Sequence, residues 1–273
     1  ERARALDAAF EGLDGERAAE LRWRRQAWRA TTLLSTGRFA EGLAAAEEAF
    51  RTSRRGGAAP WAARATVFHR TQTGLHRFYT ASAGDLRDRV LPVVPLWTRS
   101  ARTWRQTVAY ALAQAGDQQA RPLFEQACDD ALAREGQGGG WLAQLCVLAG
   151  AAHALGDRER AGHLCELMVP WRGHHGLNAE ETYVGSIDHQ LGLLRSMLGD
   201  LDGAADAFRA GVEAHEAVGA CPFAVLSRMQ LALTLDRRGR PADRAEVEAL
   251  AQEARAAGRR LGMPRVGAML AAL

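Results

Sequence analysis

Residues Ser186–Ala220 read SIDHQLGLLRSMLGDLDGAADAFRAGVEAHEAVGA. An apolar helical run ends at Met197-Leu198-Gly199-Asp200, and a second run carries Ala204, Ala207, Phe208 and Val212 on one face. Apolar residues three and four apart share a helix face, and a glycine followed by aspartate ends one helix and starts another. The stretch is therefore a helix, a tight turn and an antiparallel helix.

The pattern recurs along the chain. Turn glycines fall at Gly37, Gly84, Gly116, Gly156, Gly199 and Gly239, spaced 47, 32, 40, 43 and 40 residues apart. A lone helical hairpin cannot bury its own apolar face, whereas stacked hairpins build a continuous core. A period near 40 with this content predicts an all-α, right-handed α-solenoid of about six hairpins over residues 1–273, read as a single domain. The first helices are expected over 16–36, 61–82, 99–114, 141–154, the run after Ser186, and 222–236. Arg172–Ala179 is expected as a polar entry loop, and Ser186, Asp188 and His189 are expected on one helix. The chain starts at Glu1 rather than Met, and its first helix lacks a preceding partner. Both features lead us to expect a piece of a longer protein.

Composition narrows the chemistry. All 35 basic residues are arginine, and the net charge is +3 with both signs interspersed. Without lysine there is no Walker A phosphate loop and no Schiff-base amine within these residues. No polybasic tract points to nucleic acid or to an anionic membrane. Cys128, Cys146, Cys165 and Cys221 form no CxxC pair and lie in apolar helical text, so reduced core cysteines are expected. A cytoplasmic location without membrane association follows as an expectation, since no run has the length of a span.

Within each unit a small residue follows the turn glycine, and a space-filling residue comes four later: Gly199, Ala204, Phe208; Gly116, Ala120, Phe124; Gly156, Ala161, Cys165. This resembles the tetratricopeptide repeat, whose usual length is about 34 residues. From about Trp141 to Pro264 the text is similar to the C-terminal arrays of large actinobacterial regulators that join an ATPase to LuxR-type or antibiotic-regulatory DNA-binding domains, or to a nucleotide cyclase. The carrying residues are Leu155–Ala161, Gly185–Leu194 and Leu231–Pro241. The resemblance implies a non-catalytic interaction and sensory module of a bacterial transcriptional regulator, acting on a protein partner or on its own output domains. A small-molecule effector groove, or the repeat region of a cyclase or ATPase signalling protein, is the alternative.

Neither a catalytic centre nor a metal or cofactor site is expected. Ser186, Asp188 and His189 cannot converge on one helix as a triad, and the histidines lack ligand spacing. Trp23, Trp28, Trp61, Trp104 and Trp141 are expected to fill gaps between repeats. The binding surface should be the concave face lined by first helices. Positions six and three residues before each turn glycine, with one a turn further back, project onto it. They include Phe78, Gln106, Tyr110, Ala113, Cys146, His153, His189, Ser196, Met229 and Asp236, with Arg70 and Arg77 nearby. An enclosed pocket at Tyr110, His153 and His189 would favour a small-molecule sensor. An open apolar groove of about 1,000 Å² would favour a protein.

Overall fold

The computed structural model describes residues 16–55, 60–82, 85, 88, 105–133, 136, 140–178 and 182–273. These residues are mostly helical. In chain order the helices are α1 (Glu16–Ser35), α2 (Phe39–Arg55), α3 (Pro60–Thr80), α4 (Arg105–Gln114), α5 (Ala120–Leu132), α6 (Trp141–Leu155) and α7 (Arg158–Met168), then α8 (Ile187–Leu198), α9 (Leu201–Ala217), α10 (Cys221–Arg238), α11 (Arg244–Leu261) and α12 (Pro264–Met269). Between α7 and α8 lie strands β1 (His175–Asn178) and β2 (Thr182–Ser186), paired as a two-stranded sheet. Chain contacts divide the protein into two compact units. One holds residues 1–76 with 180–182, and the other holds 77–179 with 183–273. No described helix is long and apolar enough to cross a membrane.

In the first unit α1 and α2 form a hairpin, and Trp23, Ala49, Trp61 and Phe68 bring α3 into the same core. Trp23 stacks on Trp61 with ring centroids 5.6 Å apart. The buried Gln72 amide donates to the Ala27 carbonyl and to the Thr31 hydroxyl, both at 2.9 Å, so its burial leaves no donor unmatched. Trp28 faces outward, unlike Trp23 and Trp61. The expected gap-filling role does not hold for it, because its position on α1 is opposite the α2–α3 contacts.

In the second unit successive helices pack in hairpins: α4 with α5, α6 with α7, α8 with α9, and α10 with α11. Their first helices also touch in series, α4 with α6, α6 with α8, and α8 with α10. The turns are built as the sequence predicts. Gly156 and Gly199 adopt left-handed φ values of 67° and 96°. The Asp157 amide closes a six-to-one bond to Ala152 at 3.1 Å, as the Asp200 amide does to Arg195 at 3.0 Å. Each aspartate side chain then caps the next helix, accepting from the amides of Arg160 and Gly203. Gly37, Gly116 and Gly239 share the left-handed geometry; Gly84, Trp104 and, except for Asp88, the return helix expected over Leu86–Val94 lie outside the described residues.

Arginines join one hairpin to the next. Arg121 donates to the Leu155 carbonyl at 3.2 Å, Arg158 to Leu198 at 2.9 Å, and Arg237 to Ser196 at 3.0 Å. Each guanidinium meets a carbonyl in the partly negative last turn of a neighbouring helix. The core between these hairpins is filled by Phe124, Leu145, Leu148, Leu164, Ile187, Leu191 and Phe208, all nearly inaccessible.

Two expectations are corrected here. The loop expected over Arg172–Ala179 contains a strand, and the text before Ile187 is the partner strand rather than helix. The physical reason is local: Ser186 is the helix cap, its hydroxyl accepting from the His189 amide at 3.1 Å, so helical geometry starts only after it. Asp188 pairs locally, accepting from the Gly173 amide at 2.8 Å and so holding the turn that leads into β1. Cys221 is the second correction. All four cysteines are free, but Cys221 is exposed at the first position of α10, where a helix start faces outward; Cys165 is half-buried.

Candidate ligand pocket

Six of the projected groove positions, Phe78, Tyr110, Ala113, His153, His189 and Met229, line one cavity, and its polar members come from three consecutive hairpins. Tyr110 sits on α4, His153 near the end of α6, and His189 in the first turn of α8. The cavity has a volume of about 370 Å³, and every described residue lining it belongs to the second unit. Phe78 and Tyr79 form one wall, and Leu193, Leu226 and Met229 form another. Met263, Arg265, Val266 and Met269 close it from the C-terminal segment.

Close packing shapes the site. A Cβ on Gly150 would lie 2.7 Å from the Tyr110 ring, so only glycine lets that ring lie flat on α6. A Cβ on Gly211 would lie 3.1 Å from the His189 amide nitrogen, so this glycine lets α9 press against α8 just behind the imidazole. Tyr110 also packs against Phe78, with centroids 5.2 Å apart. The closing helix is fixed from behind. Leu270 is fully buried, and Arg255 donates to its carbonyl.

Hydrogen bonding determines which nitrogen of each buried imidazole carries the proton. The Ser186 amide donates to Nε2 of the buried His215 at 2.8 Å, so that nitrogen carries no proton. Burial pushes the His215 pKa down to about 2, so the ring is neutral and its proton sits on Nδ1. That N–H donates to the Ser227 hydroxyl at 3.0 Å. The Ser227 proton is then left for Nδ1 of His189, 2.9 Å away. Burial, with His153 nearby, holds His189 down at about 3, so this ring is neutral too and carries its proton on Nε2. The chain Ser186, His215, Ser227, His189 thus sets His189 as an Nε2–H donor. His153 is also shifted toward the neutral form by burial.

The other polar groups complete the inventory. Arg265 lies 5.0 Å above the Phe78 ring and donates to Gln114 Oε1 at 2.6 Å. Burial raises the phenol pKa values of Tyr79 and Tyr110, while the Arg265 charge lowers them. Both hydroxyls therefore stay protonated at neutral pH. Among the described residues no cluster of three or more histidine, cysteine or acidic side chains is placed to hold a metal ion.

The remaining projected residues lie elsewhere. Arg70 is half-buried in the other unit, and Arg77 is exposed. Gln106, one turn before Tyr110, does not line the cavity. Ser196 is half-buried near the end of α8, where its carbonyl serves Arg237, and Asp236 is exposed on α10. Cys146 points to the β1 side, its sulfur 2.7 Å from where a Gly176 Cβ would be. Ser227, His215 and the α12 residues were not singled out by the sequence reading. The one available signal for Ser227 and His215 was polar residues within otherwise apolar helix faces. For α12 there was none, because its place over the cavity depends on a contact between Arg265 and Gln114, 151 residues apart. Comparison with protein-family models, with curated proteins and with solved structures yields no match.

Proposed function

We propose that this chain is a ligand-binding sensory module in which a small amphipathic molecule occupies the pocket closed by α12. The observation that carries the reading is the convergence of Tyr110, His153 and His189, from three hairpins, on one cavity of about 370 Å³. That volume is in the range of small-molecule sites, about 300–1,000 Å³. The wall is aromatic and aliphatic, and a few polar groups converge on it, the composition that orients a small ligand. A protein-docking groove would instead present about 1,000 Å² or more of open apolar surface. The reading is one of binding and not of turnover.

The same proposal takes the hairpin series as a tetratricopeptide-like right-handed solenoid. The left-handed glycine turns and the serial packing of α4, α6, α8 and α10 support it. It also sets the module in a bacterial transcriptional regulator, on the strength of the resemblance over Trp141–Pro264. Ligand binding would act there on a protein partner or on attached ATPase and output domains. Because α12 contributes to the pocket wall, a ligand contacts both the hairpins and the closing segment. Differential affinity for closed and open placements of α12 would shift their populations.

The test is a thermal-shift and ligand-observed NMR screen of small amphipathic compounds. Hits should bind the wild-type chain and Asp236→Ala alike, and should be lost in Ala154→Trp, which fills the pocket from an exposed lining position. Hits that bind Ala154→Trp as well as wild type would place the site elsewhere.

A further inference from the structure

We infer that the ligand is a small organic monocarboxylate with an apolar body, its carboxylate held by Arg265. The inference rests on the ligand-binding reading above and adds the chemical class. Among the described residues Arg265 is the only formally charged side chain that lines the cavity, and no aspartate or glutamate does. Among the described residues no carboxylate pairs with it; its recorded partners are the Gln114 oxygen and the face of Phe78. A guanidinium has five N–H donors in a planar fork, and the Gln114 bond uses one of them. The Phe78 ring and the Gln114 oxygen hold the guanidinium in place, leaving donors available for the two oxygens of a planar carboxylate.

The neighbouring groups favour the same sign of charge. His189 presents a donor, because its acceptor nitrogen is committed to Ser227. Gln114, with its oxygen engaged by Arg265, keeps only its amide N–H groups. The Tyr79 and Tyr110 hydroxyls stand as protonated donors. A cationic ligand would meet Arg265 with no acid to offset it. A neutral ligand would leave the guanidinium desolvated without a counter-charge. One guanidinium balances one negative charge, which selects a monoanion. Phe78, Leu193, Met229, Met263 and Met269 provide the apolar remainder, and methionines let that wall adapt to the shape of the body.

The test compares 3-phenylpropionate with its neutral amide, which has the same skeleton, by calorimetry or ligand-observed NMR on the whole chain at low salt. The acid should bind wild type about tenfold or more tightly than the amide, as a charge-assisted pair requires. Arg265→Gln should bring the acid to the level of the amide and leave the amide within about twofold. Gln114→Glu should do the same with the arginine retained, because a carboxylate placed 2.6 Å from the guanidinium satisfies it internally. This second variant decides the matter if Arg265→Gln does not fold. If acid and amide bind wild type equally and both are lost in Ala154→Trp, the carboxylate class is wrong and the pocket reading stands. If neither binds wild type at millimolar concentration, both fall. A preference for the acid that survives in both variants would remove Arg265 as the anchor.

Discussion

Ser227 shows how much one hydroxyl can decide. It accepts from the His215 Nδ1–H and donates to His189 Nδ1, at 3.0 and 2.9 Å, in a site where all three side chains are buried. Substitution Ser227→Ala leaves two buried imidazole nitrogens without partners. An unmatched buried polar group costs about 1–3 kcal/mol, so the variant should lose about 2–3 kcal/mol in denaturant unfolding. Nitrogen NMR provides the second readout: His215 should be the Nδ1–H tautomer and His189 the Nε2–H tautomer in wild type. A loss below about 0.5 kcal/mol, within the usual range for a surface change, would mean that the hydroxyl does not link the rings.

At the scale of elements, the Leu-Gly-Asp turn separates backbone from side-chain contributions. A Cβ at Gly156 or Gly199 would meet no neighbour within 4 Å, so crowding is not at issue; the left-handed φ is. Alanine at either position should cost about 1–2 kcal/mol from that conformation alone. Asp157→Ala removes a helix cap and also takes one carboxylate partner from Arg121 and Arg160, each 3.2 Å away, while both keep Glu125 nearby. Its cost should reach about 1–2 kcal/mol, mostly from the cap, since the arginines are partly solvated. The closing helix α12 behaves differently. It is short and placed by Arg265, Val266 and Leu270. A chain ending at Gly262 should therefore keep nearly all its helical circular dichroism signal while losing ligand binding. Binding that survives the truncation would show that α12 is not a pocket wall.

For the whole molecule the buried imidazoles predict acid sensitivity. His189 and His215 stay neutral when folded, with pKa values near 3 and 2, whereas an unfolded histidine titrates near 6.5. Below that value the unfolded chain binds protons that the folded chain refuses, so stability falls as pH falls. Between pH 7.5 and 5 each ring should remove about 2 kcal/mol, or about 4 kcal/mol together. His153 and His175, also shifted toward the neutral form by burial, add to the same slope. Urea unfolding at the two pH values measures this directly, and a flat profile would show that the rings titrate in the folded chain as they do in the unfolded one.

The sequence by itself determined the helices, their turns and the face they bury. These follow from local chemistry: apolar spacing of three and four, glycine at the left-handed positions, aspartate at the caps. It also marked Tyr110, His153 and His189, because they lie six, three and ten residues before their turn glycines, offsets that project to the same concave face. Tertiary structure alone decided that these three share a cavity while Gln106, Ser196 and Asp236 lie elsewhere. It alone brought Arg265 to Gln114 and Phe78, formed the β1–β2 hairpin, and set the proton on His189 through Ser227. The shared cavity, the Arg265 contacts and the His189 proton depend on contacts between residues far apart in the chain, and the strand pair packs on α6 through β1. Local pattern determines which way a side chain points from its own helix; only packing determines what it meets there.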